Sequence, residues 1–99
     1  SKFVEGLRFL SRMSGVESLI EKARRELVEK FLKMMRKSER EKFMERYFQL
    51  DEKTRSLIDT YIRNRVRYRS YRTAIYCFEK KRERELVRQF LYDTFMKEV

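Results

Sequence analysis

Residues 57–78 read LIDTYIRNRVRYRSYRTAIYCF. Leu57, Tyr61, Tyr68, Tyr71, Ile75 and Phe78 fall at alternating spacings of four and three once Asn64 is counted in the series. That spacing lays one seam along a helix, interrupted at Asn64. The inner part also admits a second pattern. Val66, Tyr68 and Ser70 alternate with Arg65, Arg67 and Arg69, a period of two that suits a strand. Helical patterns on both sides favour the helix, which is expected over 52–78. Asp51 can cap it, with Glu52 in the first turn where the helix dipole favours an anion.

Upstream the same logic repeats. Ser38-Glu39-Arg40-Glu41 has the S-x-x-E form of a capping box, and Phe43, Met44, Tyr47, Phe48 and Leu50 follow it at helical spacing. A short helix is predicted over 39–50. Ser14-Gly15-Val16-Glu17 is another such box. Behind it Val16, Leu19, Ile20, Ala23, Leu27, Phe31, Met34 and Met35 mark a helix over 16–37, reinforced by Glu26–Lys30 and Glu29–Lys33 pairs four residues apart. Phe3, Leu7, Leu10 and Met13 predict a further helix over 2–13.

Downstream, the run Glu79-Lys80-Lys81-Arg82-Glu83-Arg84-Glu85 has no apolar residue and breaks the seam. Leu86, Val87, Phe90, Leu91 and Phe95 then open a new phase. Either the chain turns there, or one long helix crosses solvent. The turn is favoured, because a core needs the last stripe to fold back, and a helix would follow over 84–98. The expected core holds Leu19, Ala23, Leu27, Phe31, Tyr47, Leu57, Tyr61, Ile75 and Phe90.

The 99 residues contain no proline and only two glycines, so the turn punctuation of an all-β fold is missing. An all-α, single-domain helical bundle of about four to five helices is the expected architecture. Lys plus Arg outnumber Asp plus Glu by 26 to 16, a net charge of +10. Residues 1–50 and 51–99 each hold 13 bases and 8 acids, which spreads the excess over the folded surface. Such a field attracts phosphate polymers, anionic lipid surfaces or acidic proteins.

One cysteine cannot form an internal disulfide, and neither a leader sequence nor a membrane-spanning apolar run is apparent. A cytoplasmic protein is the expectation. Abundant Arg, Lys and Glu beside a single Asn also fit a thermophilic source.

With no histidine in the chain, the usual general base near neutral pH is absent, and neither Ser-His nor Cys-His pairs can form. Cys77 lies in an apolar run and reads as a buried, inert thiol. The expectation is a protein without catalytic residues, metal or cofactor. The basic stretch Arg63-Asn64-Arg65-Val66-Arg67-Tyr68-Arg69-Ser70-Tyr71-Arg72 stands out, with five arginines and no acid. Arginine forks match phosphate bidentately, so Arg63, Arg65, Arg67, Arg69 and Arg72 are candidate nucleic-acid contacts, joined by Lys80, Lys81 and Arg82. The stretch also reads as a plain solvated face. Tyr68 and Tyr71 could stack on exposed bases, but their place in the seam favours core packing.

The line from Ser56, Ser-Leu-Ile-Asp-Thr-Tyr-Ile-Arg-Asn-Arg-Val-Arg, resembles the central helix of the helical domain in GINS subunits, which are replication-fork scaffolds. Leu57, Ile58, Tyr61, Ile62, Arg63, Arg65 and Val66 match that helix, and residues 83–98 resemble the one that follows it. The resemblance spans about the last forty residues. It leaves no room for the family's small β-domain, and the first fifty residues do not follow the family's start. It implies a replication-associated helical scaffold. Three functions stand open at this point: a nucleic-acid-binding accessory of replication or repair, an interaction subunit docking on an acidic protein, and a peripheral membrane protein. The chain could also act as a homo-oligomer.

Overall fold

The computed structural model describes residues 19–96. Five helices run through them: α1 Leu19–Lys33, α2 Lys37–Tyr47, α3 Glu52–Tyr68, α4 Tyr71–Tyr76 and α5 Lys81–Phe95. Of these residues 82% are helical, with no strand among them, so the fold is an all-α bundle. The helix expected over 2–13 and the Ser14–Glu17 box lie outside the described residues.

Helix α3 is the central element, packed against α1, α4 and α5, while α2 packs on α5. Its inward stripe is Ile58, Tyr61, Ile62 and Arg65, at intervals of three, one and three. Phe31 of α1 meets Tyr61 edge-on with ring centres 6.0 Å apart. Phe43 of α2 gathers three more rings: Phe31 at 5.1 Å, Tyr47 at 5.4 Å and Phe90 of α5 at 5.9 Å. Val28, Ala74, Ile75, Phe78, Val87 and Leu91 fill the space around them. The charged run after residue 78 contains the turn the sequence favours, and α5 folds back onto α2, α3 and α4.

Several boundaries differ from expectation. Helix α2 starts at Lys37, because Arg36 is extended and its carbonyl accepts from the Glu39 and Arg40 amides, each at 3.0 Å. Ser38 therefore lies inside the first turn and does not cap it. Helix α5 begins at Lys81 instead of near 84, since the Arg84 guanidinium reaches back to the carbonyls of Phe78 at 2.6 Å and Glu79 at 2.9 Å. Helix α1 ends at Lys33, four residues early, where Met34 and Met35 tighten into i,i+3 turns. The Asp51 cap forms as expected, accepting from the Thr54 amide at 3.2 Å, and that bond holds its carboxyl below the ordinary range.

Leu19 and Ala23 were expected in the core and are exposed, and Leu27 and Leu57 are half-buried. The first turn of α1 borders an open cavity of about 380 Å³ between α1 and α3, lined by Ile20, Ala23 and Leu27. Phe31, Tyr47, Tyr61, Ile75 and Phe90 are buried as expected.

Three helices also share a polar clamp. Arg24 of α1 donates to the Tyr47 hydroxyl at 2.8 Å and pairs with Asp59 of α3 at 3.2 Å, while the Tyr47 hydroxyl donates to Asp59. Burial raises the Asp59 pKa against the opposing hydrogen bond from Tyr47 and the charge of Arg24. Burial, then the bond to Asp59, also pushes Tyr47 well above its ordinary 10.0, and burial does the same to Tyr61.

The sign of the resulting pH dependence is set by these raised values. For Tyr47 and Tyr61, a folded-state pKa above the unfolded one contributes stability that is complete below about pH 10 and lost as pH rises toward the folded value. Urea midpoints should therefore fall above pH 10, with each tyrosine contributing a slope of about 1.4 kcal/mol per pH unit. Tyr47→Phe should lower stability at neutral pH and remove one such slope. An unchanged slope in that variant would mean that Tyr47 ionises as readily folded as unfolded.

Candidate functional site

Helix α3 does not continue to residue 78. It ends at Tyr68, followed by Arg69 in the left-handed region at φ 64°, ψ 1°, with the Arg69 amide donating to the Arg65 carbonyl at 2.8 Å. Ser70 is extended, and its hydroxyl accepts from the Thr73 amide at 3.3 Å to start α4. The seam thus folds into a corner. Asn64, its interruption in sequence, closes that corner by donating from Nδ2 to the Ala74 carbonyl at 3.1 Å.

The break redistributes the expected arginine stripe. Arg63 and Arg67 stay exposed on α3, Arg69 is exposed in the corner, and Arg72 is exposed on α4. Lys80, Lys81 and Arg82 are exposed at the start of α5, where Lys81 pairs with Glu85 at 3.8 Å. Among the described residues, Arg63, Arg67, Arg69, Arg72, Lys80 and Arg82 form no ion pair. No acid occurs between Asp59 and Glu79, so the charge of Arg63, Arg67, Arg69 and Arg72 is uncompensated along the chain, whereas Lys80 and Arg82 adjoin Glu79 and Glu83.

Arg65 is placed differently. It lies seven residues after Ile58, on the inward stripe, and only 7% of its surface is exposed. Its guanidinium rests 3.9 Å over the centre of the Tyr71 ring, and its Nε and Nη1 have no hydrogen-bond partner. It is a buried cation propped against an aromatic ring, unable to reach far into solvent.

Tyr68 and Tyr71, expected in the core, are exposed. Tyr68 is the last residue of α3, and Tyr71 opens α4 beyond the corner, so the bundle no longer covers either. Arg67 lies 5.2 Å from the Tyr68 ring centre, and Arg88 of α5 lies 5.8 Å from that of Tyr76. Cys77, expected buried, is also exposed, because it follows α4 on the side away from the buried Ala74, Ile75 and Phe78. A signal for the corner was present in the sequence: Ser70 is a cap-forming residue inside an otherwise basic run.

No helix among the described residues is long and apolar enough to cross a membrane, and no group of three or more Cys, Asp or Glu there could hold a metal ion. No protein-family model, curated protein or solved structure matches the chain.

Two substitutions test the corner. Ser70→Ala should cost about 1 kcal/mol in urea unfolding, the usual loss on removing an N-cap. Arg65→Met, which keeps length and removes a buried charge whose Nε and Nη1 have no hydrogen-bond partner, should leave stability within about 1 kcal/mol of the parent or raise it. A loss of several kcal/mol for Arg65→Met would show that the stacked guanidinium holds the corner together.

Proposed function

We propose that this chain binds nucleic acid through the basic corner between α3, α4 and the start of α5. The supporting observation is the set of exposed, unpaired cations Arg63, Arg67, Arg69, Arg72, Lys80 and Arg82 beside an acid-free tract. Like charges held together on a rigid surface repel one another, and a polyphosphate relieves that repulsion. Arginine suits the task because its planar fork meets phosphate oxygens in pairs. Phosphate contacts of this kind set affinity and register and carry little sequence information. An accessory or scaffold role in DNA replication or repair is the process assigned, on the resemblance of residues 56–67 to the GINS helical domain. The alternative is a subunit docking on an acidic protein, which the same charge would also attract.

Salt separates the two. Counterion release from a polyphosphate makes log affinity fall linearly with log salt, with a slope near the number of phosphates engaged. Replacing Arg67 and Arg69 together by alanine should weaken binding to all sequences alike and flatten that slope by about two. The charge-matched control is Lys42 and Lys53 to alanine. Lys53 stands about 20 Å along α3 from Arg67, and Lys42 lies beside Asp93 near the far end of α5. That control should leave the slope near the parent's. Equal effects of the two pairs, or no binding at low salt, would transfer the corner to an acidic protein partner.

A further inference from the structure

Three aromatic rings stand in the basic corner with much of their surface open: Tyr68 is 42% exposed, Tyr71 41% and Tyr76 68%. Rings of this size contribute most when buried, and the fold gains little from leaving three of them in water. Each has a guanidinium against it, from Arg67, Arg65 and Arg88 respectively. For Tyr71 the contact is close, at 3.9 Å, and comes from Arg65, itself buried. One face of that ring is covered by a fixed cation, so its exposed surface belongs to the opposite face and edge.

A ring held flat from behind is preorganised for stacking, because little side-chain freedom remains to be lost on binding. Tyr71 and Tyr76 are five residues apart on α4, so they stand on different sides of it and a strand that meets both must wrap around the corner. Arg72 and Tyr76 are four residues apart on α4 and therefore neighbours on its surface. Tyr68 and Tyr71 are three residues apart across the corner, which keeps their Cα atoms within about 11 Å. Duplexes hide base faces inside the helical stack, whereas an unpaired strand offers them.

We propose that the corner selects single-stranded nucleic acid, with Tyr71 and Tyr76 stacking on unpaired bases while Arg67, Arg69 and Arg72 hold the adjoining phosphates. This rests on the nucleic-acid reading above and narrows it to a ligand class.

The chain contains no tryptophan, so its fluorescence comes from six tyrosines, and the part of the quench lost in the Tyr71→Ala and Tyr76→Ala variants reports stacking. The full chain would be titrated at low salt with thymidine and uridine strands of about twelve nucleotides, an abasic strand with the same number of phosphates, and a duplex of equal length. Either base-bearing strand should quench the fluorescence and bind about tenfold or more tighter than the abasic strand. Tyr71→Ala and Tyr76→Ala should each lose about tenfold on the base-bearing strand and nothing on the abasic one. Tyr71→Phe, which keeps the ring, should match the parent. Tyr76 is the most open of the three rings, so its variant stays informative even if Tyr71→Ala disturbs the corner. Equal binding of base-bearing, abasic and duplex ligands without quenching would overturn stacking and leave phosphate binding intact. Binding of none of them would remove the nucleic-acid reading as well.

Discussion

Arg69 occupies a left-handed backbone conformation that an L-residue adopts at a cost of about 1–2 kcal/mol, and the arrangement of the basic face depends on it. The turn ends α3 at Tyr68, hands the chain to the Ser70 cap and packs α4 against α3. Three contacts hold the corner: the Arg69 amide on the Arg65 carbonyl, Asn64 on the Ala74 carbonyl, and the packing of Ala74 and Ile75 into the core. Without the turn, a continuous helix would carry Arg69 and Arg72 along its own flank and Tyr71 in its seam. With it, the arginines and tyrosines surround a bend.

The molecule manages its charge unevenly. Around α1, α2 and the first half of α3 several cations are paired, among them Arg24 with Asp59 and Tyr47, Arg36 with Glu39, and Arg46 with Asp93. The Arg24 clamp ties three helices through groups that are only partly desolvated, a setting in which ion pairs contribute modestly and hydrogen bonds add direction. Beyond Asp59 the acids stop until Glu79, and two arginines of the corner, Arg65 and Arg67, lean on aromatic rings. Cation–π contacts at exposed sites contribute only about 0.5–1 kcal/mol each, so the positive field there remains available to an anion.

The helices were legible because period-3.6 apolar spacing is a long signal: Phe31, Tyr47, Tyr61, Ile75 and Phe90 are buried where the stripes put them. Boundaries were less legible where one side chain settled them. Arg84 extends α5 backwards, the extended Arg36 moves the start of α2, and Ser70 splits the central seam. The heptad-like series through Tyr68 and Tyr71 suggested core residues because it assumed one straight helix. Once the chain bends, the same series runs out of neighbours, and both rings face solvent. Arg65 shows the reverse case. The acid-free arginine run placed it among the candidate nucleic-acid contacts, yet the stripe from Ile58 turns it inward. The exposed Arg63, Arg67, Arg69 and Arg72 needed no correction in their exposure, since acid-free charge density is read directly from composition.

The central claim is that one corner of the bundle, and no other surface, meets nucleic acid. Chemical-shift mapping by NMR at low salt, with backbone amides and arginine side chains followed during titration of a short oligonucleotide, tests it most directly. Shifts confined to residues 65–76 and 80–82, with the arginine Nε signals of Arg67, Arg69 and Arg72 moving most, are the predicted result. Shifts centred on the cavity between α1 and α3 near Ile20 and Leu27, or spread evenly over every lysine and arginine, would contradict it.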